Sequence, residues 1–541
     1  MQRLIQSYAD AQAKLRPTAR AVVFRNETLT YAHLHRWSNS LARAMQSHGC
    51  RRGDRVGLMV SKSPLAIASI LAVLKADCIY VPLDVDSPAQ RIIKILENSE
   101  PRLLLVDESG TKTLQELWSD STRIGFKAAS LECRSALPDR NPYVFCGDDI
   151  VRFSEEPIHY QSAYDDPAYI MYTSGSTGVP KGVPVTHASV SHFIDWATAY
   201  FDFTSDDRIS AHPPLHFDLS VFDIFGAFAA GAELHLPAFL NFSAASMAGF
   251  IRSSELTQWF SVPSALNYMA KFDVVRHGDF PKLKRVLWCG EVLPTPTLRY
   301  WMQRLPGVQF TNLYGPTEAT IASGYYTVPS MPEENESIPI GRPCDGESLL
   351  VLDENLRAVP QDTIGGLYIG GVGLSPGYWK DEEKTRKAFL HAPNGSGRIY
   401  KTGDLGKVGK DGLIYFAGRA DTQIKSRGYR IELGEIEAAL NRIEDLKESA
   451  VVAIPTNEFE GSLICCAFAP VDGAPVDSVS LREALRTTLP HYMLPGRWLS
   501  MDRLPKNANG KIDRPLLKKL FQNNGSTAEN TDCFQIQLLK V

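Results

Sequence analysis

Between Arg55 and Val106 short apolar runs alternate with segments of helical period, and this constrains the fold more than any other feature of the chain. Arg55–Val60 reads as a strand, and Pro64–Ala76 as a helix with Ala66, Ile70, Val73 and Leu74 on one face. Ile79–Leu83 is the next strand, Arg91–Asn98 the next helix and Arg102–Val106 a further strand. Parallel neighbours need a long crossover, so repeated strand–helix–strand units predict parallel sheets covered by helices. The stretch 109–166 is polar and weakly periodic, which predicts a surface excursion. Alternation then resumes to about residue 360, and Gly365–Gly377 is Gly-rich, as in tight β structure.

Past Gly418-Arg419-Ala420-Asp421 the character shifts. A strand near Gln423–Ile431, a helix Glu435–Ile443, strands near Ala450–Ile454 and Leu463–Phe468 and a helix Ser480–Thr488 predict a small α+β domain. The expected fold class is thus α/β. A large domain, 1–418, holds parallel-type sheets and a β subdomain, and a small mobile α+β domain, 419–541, ends in a polar tail from about 523.

Composition removes several function classes. The chain has 541 residues, 44% hydrophobic and 22% charged, which excludes global disorder. Lys+Arg 57 against Asp+Glu 61 leaves a net charge of -4, with no general attraction to nucleic acid or anionic lipid. No apolar run approaches the ~18–20 residues of a membrane span, and the opening MQRLIQSYADAQAKLRP reads as an amphipathic helix ended by Pro17 rather than a leader. Nine cysteines, an odd number without a CxxC pair, fit a reducing cytosol, so a cytoplasmic protein is expected. The adjacent Cys465 and Cys466 would point to opposite faces of a strand as buried structural thiols.

The sharpest local signal is Tyr172-Thr173-Ser174-Gly175-Ser176-Thr177-Gly178-Val179-Pro180-Lys181-Gly182, following the apolar Tyr169-Ile170-Met171. Hydroxyls, exposed N–H groups and one ammonium in a flexible loop suit phosphate oxygens. It is not a P-loop, because Lys181 follows Pro180 and precedes Gly182. The segment resembles the phosphate-loop signature of the adenylate-forming superfamily, which includes acyl-CoA synthetases, luciferases and nonribosomal peptide synthetase adenylation domains. Further signatures stand in the same order: Leu74–Asp84, His216-Phe217-Asp218-Leu219-Ser220, Asn312-Leu313-Tyr314-Gly315-Pro316-Thr317-Glu318, Tyr400–Leu405, Gly418–Gly428, Leu489–Pro495 and Asn509–Arg514.

The resemblance implies a two-step reaction: a carboxylate attacks the α-phosphate of ATP, and a thiol then takes the acyl group. Lys511 would bridge carboxylate and phosphate, because two anions meet in the first step. Glu318 would hold Mg²⁺. Thr317, with Thr173, Ser174, Gly175, Ser176, Thr177 and Lys181, would bind phosphates. Tyr314 would stack on adenine, Asp404 and Arg419 would take the ribose, and Gly290, Glu291 and Asn312 would complete the nucleotide site. Asp421 marks the pivot of the small domain, which would present Lys511 for adenylation and Lys425 for thioester formation.

In the amino-acid-activating members, an Asp at the position of Asp218 pairs with the substrate α-ammonium; buried against a fatty or aryl acid it would be costly. Its alternative role is to cap the next segment. Leu219, Phe222, Ser261, Leu287, Cys289, Leu313, Gly315, Ile321 and Ala322 would line the side-chain pocket. That lining is uncharged and predicts a small neutral amino acid, with proline the lead and alanine, valine, cysteine or serine as alternatives. The set most resembles stand-alone proline–carrier protein ligases, so the expected acceptor is the phosphopantetheine thiol of a separate carrier protein. The rivals are an acyl-CoA synthetase and an inactive scaffold homologue; the latter would be expected to lack Lys511, Glu318 or Asp404. Asp77-Cys78 in place of a Gly pair, and Gly365-Gly366-Leu367 without the common Glu, depart from the pattern.

Overall fold

The computed structural model describes residues 3–120, 126–133, 143–175, 178–238, 243–393, 395, 397–455, 462–471, 476–507 and 511–523. The chain divides into two units, one of Met1–Val85, Leu96–Tyr172 and Gly182–Ala420, the other of Asp86–Ile95, Thr173–Lys181 and the chain from Asp421 onward.

Two sheets organise the large unit. The first has six strands in the order Lys127–Ser130, Leu103–Val106, Arg55–Met59, Ile79–Pro82, Pro167–Thr173 and Lys181–Thr186. Its central pairs are parallel, and Leu103–Val106 is buried at every position, as a strand covered on both faces must be. The helix Pro64–Lys75 starts with Pro at its first turn, and the Ser63 side chain accepts from Ala66 N–H. Apolar nearly all round, it is buried nearly all round.

The second sheet has nine strands, ordered Arg342–Pro343, Gly324–Thr327, Gln309–Tyr314, Arg285–Cys289, Gln258–Ser261, Arg208–Ser210, Glu233–His235, Arg20–Phe24 and Glu27–Thr30. Its inner pairs are parallel and both outer ends antiparallel. A third sheet, antiparallel, is built from Glu347–Leu352, Gly365–Gly371, Phe389–His391, Arg398–Val408 and Ile414–Arg419. The expected α/β class with a β subdomain is the observed one.

The stretch 109–166 is not a surface excursion. It contains the helix Glu108–Asp120, with Leu114 and Leu117 fully buried, and Lys127–Ser130, which adds a parallel edge strand beside Leu103–Val106. Four residues, Lys-Ala-Ala-Ser, carry too little β-branched bulk to announce a strand; the sheet edge supplies the pairing. Asp77 adopts φ 59, where a Gly is the easy choice, and its carboxylate accepts from Gln161 N–H, Ser162 N–H and the Ser162 hydroxyl at 2.7–2.9 Å. The departure at Asp77 therefore anchors a distant segment.

In the second unit the expected single strand Gln423–Ile431 is a hairpin, Gln423–Ser426 with Tyr429–Glu432, turning where Arg427 and Gly428 have φ of 53 and 81. The helix Leu433–Leu440 follows. A three-stranded sheet pairs Leu446–Pro455, Ser462–Pro470 and Arg497–Ser500, flanked by helices Ser478–Arg486 and Arg514–Asn523. Cys466 packs into the cluster with Ile436, Leu485 and Trp498, whereas Cys465 joins Leu499, Leu517 and Phe521 on the opposite face. Burial pushes the Cys465 thiol up to about 12 and raises that of Cys466 well above its ordinary value, so both stay inert. Among the described residues, no helix is long and apolar enough to cross a membrane.

Candidate active site

In the large unit the strands Gln258–Ser261, Arg285–Cys289 and Gln309–Tyr314 run parallel side by side, so their C-terminal ends gather Ser261, Cys289 and Leu313 at one edge. Such ends are where ligands bind in open parallel sheets. Gly290 leaves this edge at φ 102, a conformation open to glycine. Helix Leu219–Ala230 brings Leu219 and Phe222 into one buried apolar cluster with Leu287, Cys289, Leu313, Ile321 and Ala322. The Phe222 ring meets Phe260 edge-on at 5.5 Å. The Ser261 hydroxyl is wholly buried and has no hydrogen-bond partner.

Asp218 stands at the N-terminal boundary of the same helix and is 6% exposed, yet its side chain makes no capping bond. The capping role is therefore absent. Its negative charge reaches two buried phenols: burial and then this charge push up Tyr80, and burial, Tyr80 and then this charge push up Tyr169. An acidic side chain thus lies within electrostatic reach of two buried tyrosines.

After Tyr314 the chain turns tightly. A Cβ on Gly315 would meet the Ala322 Cα at 2.6 Å, so this approach requires glycine. Thr317–Ala319 forms a short 3-10 turn, and Thr320 and Ile321 then take φ of 54 and 67. Two β-branched residues in the left-handed region are strained, and such strain concentrates at functional sites. Surrounding bonds hold the turn: Thr320 Oγ1 donates to Gly373 O at 2.6 Å and Ser375 N to Glu318 O at 2.8 Å. Glu318 itself is wholly buried and accepts from the Tyr378 hydroxyl at 2.9 Å, with the Tyr400 hydroxyl 3.3 Å beyond.

The Tyr314 hydroxyl donates to Asp404 Oδ2 at 2.6 Å, and Arg419 donates to Asp404 Oδ1 from the directly paired position of the neighbouring strand. Burial, then the Asp404 charge, pushes the Tyr314 phenol well up, so it remains a donor. Each carboxylate oxygen accepts two bonds, which leaves Asp404 capacity for sugar hydroxyls. Two expected nucleotide residues do structural work here. Asn312 Nδ2 donates to Pro339 O at 2.9 Å, and the Glu291 carboxylate accepts from Ser264 N–H at the start of helix Pro263–Lys271.

The second unit carries the remaining expected residues. Ser174 Oγ donates to Arg430 O at 2.7 Å, Gly175 N–H to Glu435 Oε2 at 3.2 Å, and Lys181 Nζ lies 3.5 Å from Glu432 Oε1. Arg91 closes a buried ion pair with Glu435 at 2.6 Å. Two of the loop's donors, Gly175 N–H and the Lys181 ammonium, thus already face carboxylate oxygens, the anionic acceptor type a phosphate presents. Thr173 Oγ1 is buried without a partner among the described residues, and Ser176 and Thr177 lie outside them. Lys425 sits half-buried in the Gln423–Ser426 strand, Asp421 Oδ1 accepts from Gln423 N–H, and Lys511 is exposed, its N–H donating to Asn507 Oδ1 at 3.1 Å.

Among the described residues, no three potential metal-ligating side chains cluster. Mg²⁺ is commonly held by one or two carboxylates together with substrate phosphates, so a single buried, oriented Glu318 fits it. Sequence reasoning missed Tyr378, Arg91, Glu432 and Glu435, because a Tyr, an Arg or a helix-start Glu carries no chemical signature until the fold supplies its partner.

Comparison with known proteins accords with this geometry. Residues 9–379 match the family model described as AMP-binding enzyme, and 435–511 that of the AMP-binding enzyme C-terminal domain; the chain belongs to the AMP-binding enzyme family. Bacitracin synthase 1 of Bacillus licheniformis is 35% identical over 524 residues, 96% of this chain and 9% of that protein. The chain therefore spans a small part of that relative's length. Among solved structures, the Vibrio cholerae adenylation domain AlmE in complex with glycyl-adenosine-5'-phosphate superposes with a TM-score of 0.82 at 25% identity, covering 96% of this chain and 98% of that one. Holo-PA1221, an NRPS protein containing adenylation and PCP domains, gives a TM-score of 0.78 at 25% identity, covering 95% and 84%.

Proposed function

We propose that the protein activates a small neutral α-amino acid, proline in the first instance, with ATP and passes it to the phosphopantetheine thiol of a carrier protein. The observation that carries this reading is Asp218: a buried carboxylate, not used as a helix cap, on the helix that also supplies Leu219 and Phe222 to an uncharged cluster. A fixed anion beside apolar walls suits a substrate with one cationic and one apolar group.

In the first step a substrate carboxylate oxygen bonds to the α-phosphorus, and the bond from that phosphorus to the β-phosphate bridge breaks, releasing pyrophosphate. Lys511 neutralises the charge that gathers there, and Thr317 and the Thr173–Lys181 loop hold phosphate oxygens. Glu318, oriented by Tyr378, would hold Mg²⁺, which when bound draws charge from the phosphates. Tyr314, Asp404 and Arg419 orient the nucleoside. In the second step the thiol sulfur bonds to the acyl carbon, AMP leaves and the thiol proton passes to solvent. We place the domain boundary at 418/419, with Asp421 as the hinge and Lys425 in the thiol-accepting state.

The relatives lend support: one is named as a peptide synthase, and one solved neighbour holds glycyl-adenosine-5'-phosphate. ATP–pyrophosphate exchange over a panel of the twenty amino acids, followed by transfer to a holo carrier protein and to free coenzyme A, tests the reading. Strongest exchange with proline or another small neutral amino acid, and transfer to the carrier, is expected; preference for a charged or long-chain acid, or for coenzyme A, would overturn it.

A further inference from the structure

Lys62 is a half-buried cation that the proposed chemistry leaves without a task. It follows the strand Arg55–Met59 and precedes Ser63, the cap of helix Pro64–Lys75. Its ammonium donates to three consecutive carbonyl oxygens: Ala211, His212 at 2.9 Å and Pro213 at 2.5 Å. An ammonium has three N–H donors, and all three are spent on one short piece of backbone. That piece leaves the strand Arg208–Ser210 and leads to Asp218.

The intervening chain transmits the hold. Pro213 and Pro214 fix their own φ, Phe217 N–H bonds Pro214 O at 3.0 Å, Ser220 Oγ bonds Phe217 O at 2.7 Å and Val221 N–H bonds Asp218 O at 2.9 Å. Few torsions between the clamped carbonyls and Asp218 are left without a restraint. Burial lowers the Lys62 ammonium to about 7, and the charge of Asp223 opposes that shift.

We propose that Lys62 is a positioning residue that sets the place of Asp218 by holding the backbone before it through hydrogen bonds to three consecutive carbonyls. The inference rests on the reading of Asp218 as the partner of the substrate α-ammonium. Lys62 touches no reacting atom; its contribution is to hold a carboxylate where a cation will arrive, so that none of the pairing energy goes into ordering the chain.

The test compares each amino acid with its deamino analogue, proline with cyclopentanecarboxylate and alanine with propionate. The quantity read is the ratio of their kcat/KM values in ATP–pyrophosphate exchange, which loss of folded protein alone does not move. The full chain is assayed as wild type, Lys62→Met and Lys62→Gln; the polar Lys62→Gln decides if Lys62→Met does not fold. The expected result is a wild type that prefers the amino acid and variants whose preference falls by about tenfold or more, with the KM for ATP unchanged. A wild type with preference and variants that keep it to within a smaller factor would overturn the clamp and leave Asp218 its role. A wild type without preference would overturn the reading of Asp218, and the clamp with it.

Discussion

The two units present their chemistry in opposite ways. In the large unit two carboxylates proposed to serve the nucleotide and its metal are buried and bonded: Glu318 by Tyr378, Asp404 by Tyr314 and Arg419. In the second unit Lys511 stands exposed, bonded through its backbone to Asn507. Preorganised dipoles and charges cost little to use at the moment of reaction, whereas an exposed ammonium on a long stem must be ordered by what it binds. On the proposed function, the difference teaches that one unit recognises and the other delivers charge.

The sharpest way to break that comparison is Lys511→Ala. Exchange of pyrophosphate is expected to fall by ~10³ or more, the scale of a lost transition-state charge, while transfer from a supplied aminoacyl adenylate stays near wild type. Equal loss in both half-reactions would erase the division of labour. Next comes the buried polar interior of the large unit. Burial lowers the His187 imidazole to about 4, and its Nδ1 accepts from Ile5 N–H, so the folded state keeps it neutral. The unfolded chain binds that proton near its ordinary value, so stability is complete above about pH 6.5 and falls as pH drops toward 4, by on the order of 3 kcal/mol. His212, lowered to about 3 by burial and the Lys62 charge, acts in the same direction. Thermal unfolding between pH 7 and 4 checks this, and His187→Gln is expected to flatten the curve.

Asp218→Asn should raise the amino-acid KM about 10²-fold, with the KM for ATP unchanged, because a desolvated ion pair loses one member. Smallest is Tyr378→Phe. Removing one hydroxyl donor to a buried carboxylate costs about 1.5 kcal/mol, expected as a roughly tenfold higher Mg²⁺ requirement in exchange assays. If Tyr378→Phe leaves that requirement unchanged, the bond to Glu318 is structural and the preorganised character of the large unit is weaker than drawn.

The alternation from Arg55 to Val106 was legible because each segment carried its own period, and the motifs were legible because their residue types are chemical. The site's supports were not. Lys127–Ser130 is a strand by virtue of a neighbour's unpaired edge, and the Gln423–Glu432 hairpin turns at Arg427 and Gly428, where only the glycine carries a turn signature. Asn312 and Glu291 stood in the right place for a nucleotide, yet their side chains serve the backbone. Lys62 shows the reverse: an ordinary lysine in sequence becomes a three-point clamp, because its partners lie about 150 positions away.

The edge of the nine-stranded sheet carries a consequence for biosynthesis. Val22 pairs with Leu234, and the hairpin made with Glu27–Thr30 depends on that neighbour to bury its inner side. At ribosomal rates of ~5–20 residues per second, the earliest strand waits roughly 10–40 s for its partner to be made. During that interval Ala21 and Val22, both without exposure in the finished protein, are uncovered. The nascent chain thus offers chaperones a defined early window, closed when the Glu233–His235 strand emerges.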